Sequence, residues 1–209
     1  MPTGLLGGSF NPAHGGHRAI SLSAIEALAL DELWWLVSPG NPLKAAVKDM
    51  APLTARLASA RKQAKRSKIR PTAIEQELGT RYTVDTLKKL VKRYPGRQFI
   101  WIMGADNLRD FHRWRQWRDI ARMMPIAVIA RPGYNDEAIA GPAMAWFRRY
   151  VRRPEQSKNW TIWSRPALVF LRFRPDPRSA TALRKADPDW FLEYAGGGIR
   201  DAVTRKLVT

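Results

Sequence analysis

Two histidines three residues apart close a glycine-rich run, Gly7-Gly8-Ser9-Phe10-Asn11-Pro12-Ala13-His14-Gly15-Gly16-His17. Glycines let the backbone come close to a phosphate, and an imidazole can donate a hydrogen bond to one. If His14 caps the first turn of a helix, this spacing lets both rings converge on the same anion. The competing reading is a glycine turn with two polar caps. A metal site is the weaker alternative, because His112 is the one further imidazole and the chain has no cysteine.

Such a turn works only if a strand delivers it and a helix leaves it. Short apolar runs alternate with longer helix-like stretches, the pattern of βαβ units and a doubly wound parallel sheet. Strands are expected at Thr3 to Leu6, Glu32 to Val37, Lys68 to Thr72, Gln98 to Met103, Ile126 to Ala130 and Leu168 to Phe173. Helices are expected over His17 to Leu30, Leu53 to Lys65 and Thr83 to Tyr94, the last stopped by Pro95-Gly96. Two short helices are expected near 110–123 and another over 137–153, with a loop or insertion at 153–166. The whole, 1–209, reads as a single α/β domain with a helical C-terminal portion from about Ser179. In that arrangement the glycine run lies at the carboxyl edge of the sheet, where phosphates meet a helix N-terminus.

Composition narrows the classes. The 209 residues carry 36 Lys and Arg against 18 Asp and Glu, a net charge of +18. Nine Trp and 45% hydrophobic residues supply a core and argue against disorder. Without cysteine, disulfides, zinc–thiolate sites and thiol nucleophiles are excluded. No signal peptide or membrane span is visible, so a soluble cytoplasmic protein with no membrane partner is expected. Each half of the chain contributes +9. The densest basic run is Arg56 to Arg70, read as a solvated helix face or a polyanion surface.

The glycine run is not isolated. GSFNPxHxGH at Gly8 to His17 resembles the signature of nucleotidyltransferases that adenylate a phosphorylated substrate, in particular bacterial nicotinate-nucleotide adenylyltransferases. A chance match at eight specified positions has a probability on the order of 10⁻⁹. Further segments are similar to that family's motifs in the same order: Asn41-Pro42-Leu43-Lys44, Tyr82 to Leu87, Gly104-Ala105-Asp106, Trp114 with Trp117, Arg131-Pro132-Gly133-Tyr134, and Ser179-Ala180-Thr181-Ala182-Leu183-Arg184. In the last, Ala180 replaces a serine. The resemblance spans roughly residues 3 to 185.

The resemblance implies a Rossmann-like nucleotidyltransferase fold and transfer of an adenylyl group from ATP to nicotinate mononucleotide, giving deamido-NAD and pyrophosphate. By the same resemblance His14, His17 and Arg184 are catalytic, donating to the polyphosphate. Gly8, Ser9, Phe10, Gly104, Asp106, Ser179 and Thr181 join them in binding ATP. Asp106 would accept from a ribose hydroxyl, or else cap its helix; Ser179 and Thr181 would cap theirs or touch ligand. Asn41, Lys44, Thr86, Trp114 and Arg131 would hold the second substrate: Lys44 and Arg131 at its phosphate, Thr86 at its carboxylate through free N–H groups at a helix start, Trp114 stacked on its pyridine ring. Phe10 and Trp117 also read as core. Mg²⁺ would arrive with ATP, held mainly by polyphosphate oxygens and water, with no protein metal site. The alternatives are a nicotinamide-mononucleotide or phosphopantetheine adenylyltransferase and, in another class, a basic nucleic-acid-binding protein, which no RRM, zinc-finger or KH pattern supports.

Overall fold

The computed structural model describes residues 1–40, 50–130, 139–173 and 178–209. Seven strands, β1 (Pro2–Gly8), β2 (Glu32–Val37), β3 (Ile69–Thr72), β4 (Gln98–Gly104), β5 (Ile126–Ile129), β6 (Val151–Arg152) and β7 (Leu168–Leu171), form one sheet. Their order is β3-β2-β1-β4-β5-β7-β6 and every pairing is parallel. The chain winds outward from β1 to β3, then returns to lay β4 against the other side of β1. That reversal opens a crevice at the carboxyl ends of β1 and β4, the position where doubly wound sheets receive ligands.

Helices cover both faces: α1 (Gly15–Ala27), α2 (Leu53–Gln63), α3 (Ile74–Leu78), α4 (Thr83–Arg93), α5 (Ala105–Asp110), α6 (Trp117–Met123), α7 (Pro142–Phe147) and α8 (Ala180–Ala186). Because both faces are buried, β2 is an unbroken apolar run from Leu33 to Val37. Its period of two sends Trp34 and Leu36 into one core and Leu33, Trp35 and Val37 into the other. The expected strands are all present, each within a residue or two.

Three regions depart from the expectations. Of the helix expected over 137–153, residues 137–138 lie outside the described residues; the rest is helical at 139–140, breaks at Gly141, and continues as α7, one 3₁₀ turn, Arg148–Tyr150, and then edge strand β6. Only Ala143, Met144 and Phe147 face the core, too few apolar positions to hold a longer helix, while β7 offers unpaired backbone groups at Leu168 and Val169. The expected loop at 153–166 contains a 3₁₀ segment, Pro154–Ile162. Ser157 Oγ donates to the Ala27 carbonyl at 2.7 Å and Trp160 Nε1 to that of Leu28 at 2.9 Å. These bonds satisfy carbonyls that the end of α1 leaves unpaired.

The C-terminal portion is also not wholly helical. After α8 and a 3₁₀ turn, Trp190–Tyr194, comes an antiparallel hairpin of β8 (Ile199–Arg200) and β9 (Leu207–Val208). Its anchor is Asp201, 1% exposed. Asp201 Oδ2 accepts from Thr72 Oγ1 at 2.9 Å and Ala73 N at 2.7 Å, and Oδ1 from Val203 N at 2.8 Å and Thr204 N at 2.9 Å. One carboxylate thus stitches the hairpin turn to the end of β3.

A second buried network fixes the entry to α4. Thr86, 1% exposed, lies 2.8 Å from Thr80 Oγ1 and donates to Glu75 Oε1 at 3.4 Å. Burial pushes the Glu75 carboxyl up to about 7, against the opposing effect of bonds from Ser38 and Thr86.

Two stability predictions follow from these networks. Asp201→Ala leaves four donors without their acceptor and should cost about 3 kcal/mol, lowering Tm by roughly 6–12 °C; unchanged thermal unfolding would show that the hairpin is not clamped there. Glu75 should weaken the fold as pH rises. An unfolded Glu75 releases its proton near 4.5 and the folded one near 7, so the unfolded state holds fewer protons between those values and stability falls across that window. Between pH 5 and 8 the unfolding free energy from urea titration should therefore decline less in Glu75→Gln than in the wild type, by on the order of 1 kcal/mol. Parallel declines would assign the pH dependence elsewhere.

Candidate active site

The turn after β1 is folded by its own side chains. His14 is the N-cap of α1: its Nδ1 accepts from Gly16 N at 3.1 Å, and His17 Nδ1 accepts from His14 N at 3.2 Å. This is a reciprocal capping box built from two imidazoles. An accepting Nδ1 carries no proton, so each neutral ring carries its proton on Nε2. The ring centroids lie 3.9 Å apart and tilted by 43°, which places two donors side by side at the start of α1. Helix N-termini favour anions for the same reason.

Neighbouring elements hold this pair in place. Phe10 is buried, stacks on Trp35 with centroids 4.9 Å apart and contacts the His17 ring at 4.9 Å. Its φ of +47° is a left-handed conformation that costs a non-glycine residue about 1–3 kcal/mol, offset by that packing. Ser21 Oγ donates to the His17 carbonyl at 2.7 Å and accepts from Trp35 Nε1 at 2.8 Å, pinning α1 to β2. Ser59 of α2 accepts from Ala13 N at 3.2 Å, and the Asn11 amide oxygen accepts from Ala51 N at 3.2 Å.

Arg184 reaches this turn from 173 residues away, its Nη1 donating to the Asn11 carbonyl at 2.6 Å. It lies in the last turn of α8. Ser179 is the N-cap of that helix, accepting from Ala182 N at 3.1 Å, while Thr181 is exposed. Arg178 has no counterpart among the sequence candidates. Its guanidinium lies on Gly15, so close that a Cβ there would collide with Nη1. Only its position beside Ser179 could have pointed to it. Thus His14, His17, Arg178 and Arg184 gather at one turn, with Ser179 next in sequence to Arg178.

Across the crevice, β4 ends at Gly104, the N-cap of α5. Asp106 sits in the first turn of α5, inside the helix rather than at its N-cap, which Gly104 occupies, so it is not the capping residue. Its Oδ1 is buried with no hydrogen-bond partner among the described residues, a feature that calls for a ligand or another explanation. A Cβ on Gly104 would overlap that oxygen, so the glycine makes room for it.

Thr86 differs from its expected role. Its N–H already donates to the Tyr82 carbonyl at 3.1 Å and its hydroxyl belongs to the Glu75 network, so the unbonded N–H positions of a helix start fall on Thr83 and Val84 instead. Trp114 is half-buried in the bend before α6, edge-on to Trp101 of β4 at 6.2 Å and to Phe111 at 5.3 Å. Trp117 is core, packed on Trp146 and Phe147. The two do not share a helical face, because Gln116 turns left-handed between them. Asn41, Lys44 and Arg131 lie outside the described residues. Among the described residues no three His, Asp or Glu side chains cluster as a metal site, and no helix is long and apolar enough to cross a membrane.

Residues 5–186 match the cytidylyltransferase-like family model. A probable nicotinate-nucleotide adenylyltransferase of Erythrobacter litoralis is 63% identical over 206 residues, covering 99% of this chain and 94% of its own. One of Cereibacter sphaeroides is 51% identical over 184 residues, 88% and 96% of the two chains. In structure, the Plasmodium falciparum nicotinic acid mononucleotide adenylyltransferase complexed with NaAD aligns with a TM-score of 0.63 at 17% identity, covering 88% of this chain and 82% of that one, a likeness of fold. Identity this high over nearly the whole length, on a sheet whose turn carries the paired histidines, means that the chain belongs to the nicotinate-nucleotide adenylyltransferase family of cytidylyltransferase-like proteins.

Proposed function

We propose that this protein transfers the adenylyl group of ATP to the 5′-phosphate of nicotinate mononucleotide, acting as one nucleotidyltransferase domain over 1–209 in the cytoplasm. A phosphate oxygen of the mononucleotide forms the new bond to the α-phosphorus as the bond to the pyrophosphate oxygen breaks. The attacking oxygen is already ionised, so no general base is required. The protein's task is alignment and stabilisation of the charge that builds on the phosphates.

The observation that carries this reading is the imidazole capping box at the start of α1, with the Arg184 guanidinium bonded to the same turn at the Asn11 carbonyl. Each donor aimed at the pentavalent phosphorus is worth about 2.7–4 kcal/mol of activation free energy. Gly8, Ser9 and Phe10 bring backbone to the triphosphate, Arg184 and the Ser179 and Thr181 hydroxyls meet its far end, and Gly104 clears space for Asp106 to take the ribose hydroxyls. Trp114 stacks on the pyridine ring. The substrate carboxylate meets the first N–H groups of α4 at Thr83 and Val84, with Thr86 anchoring that turn from behind. Asn41, Lys44 and Arg131 complete the mononucleotide's phosphate site.

The donors at the turn suit anionic oxygens rather than a cation. Mg²⁺ therefore comes as the ATP complex, neutralising polyphosphate charge, with no protein side chain assigned to hold it.

Incubation with ATP, Mg²⁺ and either nicotinate or nicotinamide mononucleotide tests the substrate reading by pyrophosphate release. The acid should be the better substrate by kcat/KM; a preference for the amide favours the nicotinamide alternative, and release with neither overturns the assignment. The role of Asp106 has its own test. Gly104→Ala should displace the carboxylate, cutting kcat/KM for ATP by about 10- to 100-fold with little change in Tm, since a short side chain swings aside cheaply. Wild-type activity in that variant would remove Asp106 from the ATP site.

A further inference from the structure

Arg56 opens the basic run, but it does not share that run's environment. Arg61, Lys62, Lys65, Arg66 and Lys68 are exposed, whereas Arg56 is 1% exposed. Burial lowers its guanidinium to about 10, so it remains charged at neutral pH. No carboxylate pairs with it among the described residues. Such an ion is costly to keep inside a protein, and its bonds go to carbonyls alone: Nε to Ala51 at 2.8 Å, Nη1 to Ser9 at 2.8 Å and to Ser38 at 2.6 Å.

Those carbonyls come from three separate segments. Ser9 is in the turn after β1, Ser38 directly follows β2, and Ala51 precedes α2. Ser38 is itself tied to the turn, its N–H donating to the Gly8 carbonyl at 3.0 Å. One guanidinium therefore fixes the β1 turn relative to Ser38 and Ala51, which flank residues 41–49.

The bond to Ser9 has a directional consequence. The carbonyl of Ser9 and the N–H of Phe10 belong to one peptide plane, and in a trans peptide they point in opposite directions. Among the described residues only Asn11-Pro12 and Arg165-Pro166 are cis. A guanidinium that grips the carbonyl from the α2 side thereby aims the Phe10 N–H away from α2. Its charge also polarises the peptide and strengthens that donor.

We propose that Arg56 is a positioning residue for adenylyl transfer, acting through the Ser9–Phe10 peptide to hold the Phe10 N–H on the polyphosphate. The proposal rests on the reading of the turn as the triphosphate site.

The test compares wild type with Arg56→Lys, which keeps the charge but cannot span three carbonyls, and Arg56→Ala. Folded fraction is followed by circular dichroism, turnover by steady-state kinetics, and phosphate affinity by calorimetry with inorganic pyrophosphate. At equal folded fraction, Arg56→Lys should lose about 100-fold in kcat, with a smaller change in KM for either substrate, and methylguanidinium should restore part of the activity of Arg56→Ala. A purely structural role would lower the folded fraction and scale kcat with it. Turnover of folded Arg56→Lys within about threefold of wild type overturns the proposal.

Should neither variant fold, the wild-type chain decides. Saturating pyrophosphate should shift the NMR signals of both the Phe10 amide and the Arg56 Nε proton; a shift of neither, or of Phe10 alone, overturns it. A wild type that binds pyrophosphate yet adenylates neither mononucleotide defeats the substrate reading separately, and the pyrophosphate measurements still judge Arg56.

Discussion

Both histidines of the turn give one ring nitrogen to the backbone of α1. That commitment governs the rest of the site, because a ring whose Nδ1 accepts from a main-chain N–H can present only Nε2–H when neutral. The helix start is thus capped by the side chains that would otherwise need separate orienting groups. The arrangement is rigid because α1 is itself pinned, through Ser21 and Trp35 to β2 and through Ser157 and Trp160 at its far end. Displacing either ring means losing a cap bond, of about 1 kcal/mol, before any ligand contact is counted.

The sheet order supplies the second constraint. Reversal between β1 and β4 leaves two turns, Gly8 to His17 and Gly104 to Asp106, facing one crevice. One carries donors and cations, the other a buried carboxylate oxygen that lacks a partner among the described residues. A nucleotide has both needs, anionic phosphates and donating ribose hydroxyls, and in the proposed function the two sides of the crevice meet them separately. Strain at Phe10 belongs to the same economy: the left-handed residue is held by Trp35 on its ring side and, through Ser9, by Arg56 on its backbone side.

What the sequence made legible is what short-range chemistry controls. Apolar runs bounded by turn residues located the strands, and the spacing of His14 and His17 foresaw a capped helix start. Ser179 was legible as a cap because its partner, Ala182, is three residues away. What stayed hidden depends on partners far along the chain. Arg56 looks like its exposed neighbours because its carbonyls lie 47 and 18 residues away. Asp201 meets Thr72 across 129 residues, and the two-residue strands β8 and β9 carry no period to read. Thr86 was misjudged for a related reason: the pattern marks a helix start, but not that Thr80 and Glu75 converge on its hydroxyl. The helix expected over 137–153 stops at Phe147; the three core-facing positions Ala143, Met144 and Phe147 look like the beginning of a longer stripe.

The charge of +18 can now be divided by range. Exposed cations such as Arg61, Lys62 and Lys65 act through solvent and are screened beyond about 8 Å at physiological salt. Their effect is on how often a polyanion arrives, not on how its phosphorus reacts. Arg56 acts at hydrogen-bond distance from behind the turn and Arg184 from its rim, where screening is weak and orientation fixed. A charge-poor relative could lose most of the surface cations and keep the chemistry, but no number of surface cations would replace a guanidinium bonded to the peptide that must point at the phosphate.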